Sequence, residues 1–139
     1  MRISKELAQK LWNDVFGNVL WAVDCFGTWI YRDDYGNTEN KRIRPNGDGR
    51  MYNYGWDVDH VFPISRNGKD VMNNYEPMHH LNNKMKADNL NFKINNTPYQ
   101  IIKCEICGLN GLYGKGIKNQ ITNKRVDWKG VQHRYYISN

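Results

Sequence analysis

The chain has 139 residues and a formal net charge of +6, and 40% of its residues are hydrophobic and 13% aromatic. This length predicts one domain over residues 1–139 with a modest core, and it excludes two domains of ordinary size. No apolar stretch approaches the roughly 20 residues of a membrane span, and the first residues show no signal-peptide pattern. We therefore expect a cytoplasmic protein with no membrane partner.

The N-terminal third, residues 1–50, is predicted to hold one helix and one strand. Ser4 is a candidate N-cap for a helix that ends near Phe16, because apolar residues recur every four positions and a glycine follows. A short strand is predicted over residues 27–31. Residues 33–50 are polar and rich in turn-forming residues, which indicates a long loop.

A second strand is predicted over residues 55–58. Trp56 and Val58 alternate with Asp57 and Asp59, so the strand buries its apolar side chains on one face and directs its carboxylates to the other. The acidic face of this strand is therefore a candidate position for a functional site.

The segment that follows completes a ββα unit over residues 55–89. Another short strand is predicted near residues 75–78, with Pro77 as its end, and a helix from about residue 79 to residue 87. Asn67-Gly68 is a turn signal in the connection between the two strands.

The basic C-terminal region, residues 98–139, is predicted to form a small β-rich appendage. With the N-terminal helix and the ββα unit, this gives an expected fold class of α+β. Cys104 and Cys107 are spaced like half of a zinc knuckle, and Cys25 and His133 are the remaining candidate ligands. Structural Zn²⁺ and simply reduced thiols both remain open for these cysteines. Three cysteines cannot make a disulfide framework, so we expect a reducing compartment.

The positive charge is concentrated in the same region. Residues 103–139 hold seven Lys or Arg against Glu105 and Asp127, a net charge of +5, whereas residues 1–102 carry only +1. Lysine and arginine side chains near phosphates release counterions, so this asymmetry favours a polyanionic partner such as DNA. On charge alone, a merely solvated surface explains it equally well.

Three polar residues of the predicted ββα unit make a minimal set for hydrolysing a phosphodiester with one divalent metal ion. His60 is the candidate general base, because a neutral imidazole can accept a proton from water. Asp59 offers a carboxylate to a hard metal ion, and Asn83 offers an amide oxygen from the predicted helix. Water and phosphate oxygens would complete the coordination, and the metal would stabilise the departing oxyanion.

The spacing of these residues carries a resemblance to a known family. Asn74 follows His60 by fourteen positions, and Asn83 follows it by twenty-three. The chain resembles the HNH family of ββα-metal (His-Me finger) nucleases over residues 55–89, about a quarter of its length. Many small relatives carry paired Cys-x-x-Cys motifs around this core, and only one such motif is present here. The motifs that carry the resemblance are Asp57–Pro63, Asn73–His79 and Asn82–Asp88.

The resemblance implies a metal-dependent DNA endonuclease that leaves 5′-phosphate and 3′-hydroxyl ends. It implies that Asn74 braces the loop that holds His60, and that His79 joins the metal ligands as in some relatives. A capping or packing role is the alternative for His79. Lys86 matches a lysine that recurs in the family, and we expect it to contact phosphate together with Lys84. Mg²⁺ or Mn²⁺ is the expected ion, with Zn²⁺ or Ni²⁺ as alternatives.

Two other functions stay open at this point. One is a zinc-stabilised nucleic-acid-binding module that does not cleave, although a binding module needs no general base beside a metal ligand. The other is an RNase or toxin with the same core. A stand-alone protein of this type suits a phage or a defence system. The sequence leaves the choice between monomer and homodimer open, and also the choice between nicking and double-strand cutting.

Overall fold

The structure, a computed structural model, describes residues 3–103 and 115–128. Within these ranges the chain forms two helices and ten short strands, a mixture of helices and antiparallel sheets that fits an α+β fold class. No helix in these ranges is long and apolar enough to cross a membrane. The elements are α1 (Lys5–Phe16), β1 (Trp21–Val23), β2 (Trp29–Tyr31), β3 (Arg42–Ile43), β4 (Met51–Tyr52), β5 (Trp56–His60), β6 (Tyr75–His79), α2 (His80–Lys86), β7 (Asn91–Ile94), β8 (Thr97–Lys103), β9 (Lys115–Asn119) and β10 (Lys124–Arg125).

Helix α1 forms as its capping residues predict. Oγ of Ser4 accepts a hydrogen bond from the backbone N–H of Leu7 at 3.2 Å, and Gly17 ends the helix with a φ of +80°. The buried face of α1 packs on the β5–β6 hairpin, where the rings of Trp12 and Trp56 lie 5.2 Å apart. This contact covers one face of the hairpin, so the other face is left for α2 and the second sheet.

The β5–β6 hairpin differs from the prediction at both strand ends. β5 continues to His60, two residues beyond the predicted end, and His60 pairs with Tyr75. Pro77 lies in the middle of β6, opposite Val58, and does not end the strand as predicted. A proline fits there because β5 and β6 form a two-stranded sheet, and the edge of such a sheet needs no backbone donor.

The predicted long loop over residues 33–50 contains structure that the sequence did not indicate. Strand β3 pairs with β4, and Arg42 in β3 donates two hydrogen bonds, of 2.8 and 2.9 Å, to the buried carboxylate of Asp34. Strands of two residues are too short to show a periodic pattern, so the prediction could not detect this hairpin.

The C-terminal sheet has the strand order β10-β9-β8-β7, and its apolar residues form a second core cluster with residues of the hairpin region. Phe92, Ile94 and Ile117 of this sheet pack with Val61 and Met78 from the hairpin region. The predicted β-rich character is therefore correct for the described part, but the sheet starts before residue 98 and is not a separate appendage. A sheet with one apolar face must bury that face against another element.

Candidate functional site

A pocket of about 530 Å³ lies where the end of β5 faces the C-terminal half of α2, and we call it the His60 pocket. His60, Asp59 and Asn83 all line it, so the structure brings together the three residues proposed for chemistry. Asp59 and His60 are the last two residues of β5, and Asn83 lies on α2. The other lining residues are Val58, Pro63, Ile64, Ser65, Ala87 and Asp88.

His60 is held by a carboxylate that the sequence did not single out. Nε2 of His60 lies 2.9 Å from Oδ1 of Asp70, and the same oxygen accepts a hydrogen bond from the hydroxyl of Tyr75 at 2.6 Å. The hydrogen bond with His60, and to a smaller extent that with Tyr75, lower the pKa of Asp70. Burial, and then the bond to Asp70, raise the pKa of Tyr75 to about 12. Both groups therefore keep their ordinary charge states at neutral pH.

The bond to Asp70 determines which nitrogen of His60 can act as a base. An ionised carboxylate only accepts hydrogen bonds, so we assign the proton of the neutral imidazole to Nε2. Nδ1 then carries the lone pair, and no residue within 3–103 and 115–128 bonds to it. Asp70 lies ten positions after His60 in a polar segment, and nothing in the local sequence signals its role.

Asn74 ties the segment after His60 to the start of β6. Its side chain accepts from the backbone N–H of Phe62 at 2.9 Å and donates to the carbonyls of Phe62 at 2.9 Å and Lys69 at 2.8 Å. Its backbone carbonyl accepts from Val61 at 2.9 Å. Within the same segment, a Cβ on Gly68 would lie 1.8 Å from the Phe62 carbonyl oxygen, so only glycine fits. Asn74 therefore positions this segment and does not line the His60 pocket.

Asp59 is a buried carboxylate with one oxygen that makes no hydrogen bond. Nζ of Lys86 lies 3.2 Å from both oxygens, but only Oδ1 accepts from it with suitable geometry, and buried Oδ2 has no hydrogen-bond partner. Burial raises the pKa of Asp59 to about 6, although Lys86 acts in the opposite direction. Asp59 thus combines an oxygen that has no hydrogen-bond partner with a nearby positive charge.

The structure does not support a surface role for Lys86. Its side chain is fully buried, and Nζ donates to Asp59 and, at 3.2 Å, to the carbonyl of His60. Lys86 therefore joins α2 to β5 and offers no exposed cation to phosphate, which corrects the prediction. Lys84 lies on the exposed side of α2 and stays a candidate phosphate contact.

His79 caps helix α2 and does not line the His60 pocket, which corrects the prediction that it joins the metal ligands. Its Nδ1 accepts from the N–H of Leu81 at 3.2 Å, and its Nε2 lies 3.0 Å from the carbonyl oxygen of Asn53. It pairs with Trp56 at the far end of the hairpin from Asp59, three positions or about 10 Å along the strand. Its position before the first residue of α2 was the signal for the capping alternative.

Asp88 also lines the His60 pocket, although the sequence predicts no role for it. Its carboxylate accepts from the hydroxyl of Ser65 at 2.9 Å, and its carbonyl accepts from Nε of Arg66 at 2.6 Å. These bonds connect the segment after β5 to the end of α2, so they close one side of the pocket. In the sequence, only its position at the end of the motif Asn82–Asp88 indicated that it could lie near the site.

The donor atoms of the pocket fit a weakly held hard metal ion. The structure shows no group of three or more His, Cys, Asp or Glu that could hold a metal among residues 3–103 and 115–128. Mg²⁺, however, is commonly held by one or two protein oxygens, with waters and phosphate oxygens completing its shell. Oδ2 of Asp59 and the amide oxygen of Asn83 are oxygen donors of this kind, which suit Mg²⁺ or Mn²⁺ better than Zn²⁺ or Ni²⁺.

The predicted zinc knuckle lies mostly outside the described residues, which exclude Cys104, Cys107 and His133. Cys25 is described, and its thiol packs beside the second core cluster. Burial, and then the nearby carboxylates of Glu76 and Asp24, raise the pKa of Cys25 well above its usual value. Without a bound metal ion, Cys25 therefore stays a protonated thiol.

No family model, curated protein or solved structure matches this chain. The resemblance of residues 55–89 to the HNH family therefore remains a prediction from motif spacing. The geometry of the His60 pocket is an independent observation, since it depends on pairing, packing and hydrogen bonds among residues far apart in the chain.

Proposed function

We propose that this protein is a metal-dependent DNA endonuclease of the HNH type. The observation that carries the proposal is the shared position of His60, Asp59 and Asn83 in one pocket. A base candidate, a carboxylate and an amide oxygen are the groups that one-metal hydrolysis of a phosphodiester requires. Their separation in the sequence makes this convergence informative, because Asn83 reaches the pocket from a different element.

In the proposed reaction, His60 accepts a proton from water as the water oxygen attacks the phosphorus atom. The new P–O bond forms while the bond to the 3′ oxygen breaks, and that oxygen leaves as an alkoxide and then takes a proton from solvent. The products are a 5′-phosphate and a 3′-hydroxyl. Asp70 holds the imidazole in one tautomer through the 2.9 Å bond and stabilises the imidazolium that forms.

Asp59 and Asn83 are the residues that would hold the metal ion. A carboxylate has about four lone-pair positions, so Oδ2 of Asp59 can face a metal while Oδ1 keeps its bond to Lys86. When bound, the ion supplies positive charge that stabilises the leaving oxyanion. Lys86 favours the ionised form of Asp59, which is the form that can bind metal.

One observation favours a second candidate, the non-cleaving binding module. The ammonium group of Lys86 lies 3.2 Å from Asp59 and already neutralises this carboxylate without a metal ion. If Lys86 takes the place of the metal ion, the pocket would keep its shape but could not catalyse hydrolysis. The cytoplasmic location and the phage or defence role remain predictions with either candidate.

The test is incubation of the protein with supercoiled plasmid in Mg²⁺, Mn²⁺ or EDTA. We expect nicked or linear plasmid with a metal ion and none with EDTA, and a His60→Ala variant about 10²–10⁴-fold slower. His80→Ala is the matched control, because His80 bonds to Asn53 outside the pocket. Undiminished cleavage by His60→Ala would overturn the mechanism. DNA binding without cleavage in any metal would favour the second candidate, and cleavage of RNA alone would favour an RNase.

A further inference from the structure

A second cavity, of about 630 Å³, lies on the other flank of α2, and we call it the side groove. Leu81 and Met85, one helical turn apart, line the side groove, whereas Asn83 and Ala87 line the His60 pocket. Helix α2 is therefore a wall shared by both cavities. Lys84 is exposed on the same helix, between residues of the two sets.

Four large apolar side chains that line the side groove are exposed to solvent. The exposed fractions of four of its residues lie between 37% and 52%. Ligand sites are concave and lined mostly by apolar and aromatic side chains, and the side groove has this character. These four residues are Trp29, Tyr52, Leu81 and Met85.

The charge of the side groove is positive. The guanidinium of Arg44 lies 4.1 Å from the ring centre of Trp29, and Arg50 is exposed at the rim. The only carboxylate lining the cavity is that of Asp48, among the described residues, and it accepts a hydrogen bond from the hydroxyl of Tyr52 at 2.5 Å. Aromatic rings together with guanidinium groups are typical of surfaces that stack bases and contact phosphates.

Aromatic rings beside guanidinium groups favour the binding of an unpaired strand over the binding of a duplex. The bases of a duplex are stacked on one another, so their faces cannot reach Trp29 or Tyr52, whereas an unpaired base has free faces. We propose that the side groove binds an unpaired base of a DNA strand, so that the preferred substrate is single-stranded or locally unpaired DNA. The inference rests on the proposed function, because it assigns a substrate class to the enzyme of the His60 pocket.

The test uses the full chain with His60→Ala, which should slow cleavage at least about a hundredfold. Binding is measured by fluorescence anisotropy with a labelled oligonucleotide in single-stranded and in duplex form. Adding Trp29→Ala should weaken single-strand binding about five- to a hundredfold and leave duplex binding unchanged. Trp29→Phe should restore most of the affinity because it retains a ring. Ile121→Ala is the matched control, since Ile121 is exposed outside the groove.

A second measurement separates base stacking from a general loss of affinity. Bases of the single strand are replaced one at a time by abasic sites. With Trp29 present, one position should be sensitive to base removal, and with Trp29→Ala that sensitivity should disappear. Equal losses for both DNA forms, or an unchanged abasic profile, would overturn the proposal. Because binding is measured without cleavage, failure of the plasmid assay would overturn the proposed function and leave this result intact.

Discussion

Asp70 determines the state of His60 through a single hydrogen bond, so its carboxylate is more important to the proposed reaction than its exposed position suggests. In Asp70→Asn, the side-chain amide can donate to Nε2 and thereby favour the tautomer with its proton on Nδ1. We expect a slower single-turnover cleavage rate, with the ~10²–10⁴-fold loss of a general base as the upper limit. DNA affinity should stay unchanged, because Asp70 does not line the His60 pocket.

A double-mutant cycle distinguishes this positioning role from a structural one. In a His60→Ala background, Asp70→Asn should cause no further loss of rate, because there is no imidazole left to orient. Tyr75→Phe is the control, since it removes the other hydrogen bond to the same carboxylate oxygen. Independent, multiplicative losses from His60→Ala and Asp70→Asn would show that Asp70 acts elsewhere.

The two proposed metal ligands should respond differently to substitution. The amide of Asn83 makes no hydrogen bond to the described residues, so Asn83→Ala should keep the fold and raise the Mn²⁺ concentration needed for half-maximal cleavage. Excess Mn²⁺ should then restore the rate in part. Asp59→Ala should lose more activity, because it removes the charge that attracts the ion. Equal Mn²⁺ affinity in wild type and both variants, measured by calorimetry, would exclude this ligand set.

At the scale of elements, α2 carries two lysines with opposite roles. Lys86→Ala leaves the buried carboxylate of Asp59 without its cation, and breaking such a pair costs about 3–5 kcal/mol of unfolding free energy. Lys84→Ala, at an exposed position of the same helix, should change stability by about 0.5 kcal/mol at most and weaken DNA binding. Urea denaturation of both variants measures this difference in stability. Equal unfolding midpoints would contradict the proposed ion pair between Lys86 and Asp59.

At the scale of the whole molecule, the basic residues of the C-terminal region are of two kinds. Some form ion pairs that stabilise the fold, and others are free of such pairs in the part that the structure describes and can contact DNA. Arg125 donates to buried Asp127 at 2.7 and 2.9 Å, and Asp127 also accepts from the backbone of Ile117, so Arg125 stabilises the C-terminal sheet. Lys118 and Lys124 make no such ion pair within the described chain. They are the better candidates for contact with DNA phosphates.

Neutralising Lys118 and Lys124 together should therefore weaken DNA binding similarly for all sequences. Each lost phosphate contact should reduce the slope of log affinity against log salt concentration by ~0.9. Cleavage at saturating enzyme should change little, because neither residue lines the His60 pocket. Arg125→Ala should instead lower the unfolding midpoint. An unchanged salt slope in the double variant would indicate that this sheet faces something other than DNA.

Local sequence signals were sufficient for the features that depend on neighbours along the chain. Ser4 and Gly17 predicted both ends of α1, because capping and left-handed backbone involve only adjacent residues. The alternation in residues 55–58 predicted a strand, and the spacing of His60, Asn74 and Asn83 predicted a shared site. The structure places His60 and Asn83 in one pocket and puts Asn74 behind the segment that follows His60.

The tertiary structure alone decided which side chains face that pocket. The strand register places His79 at the far end of the hairpin from Asp59, and the packing of α2 turns Lys86 inward to the same carboxylate. Asp70 reaches His60 only because the segment between them folds back on itself. Sequence spacing determines which residues share an element and a face, whereas the direction and burial of a side chain depend on how elements pack. The fold class and the candidate residues were therefore readable from the sequence, and the roles of His79, Lys86 and Asp70 were not.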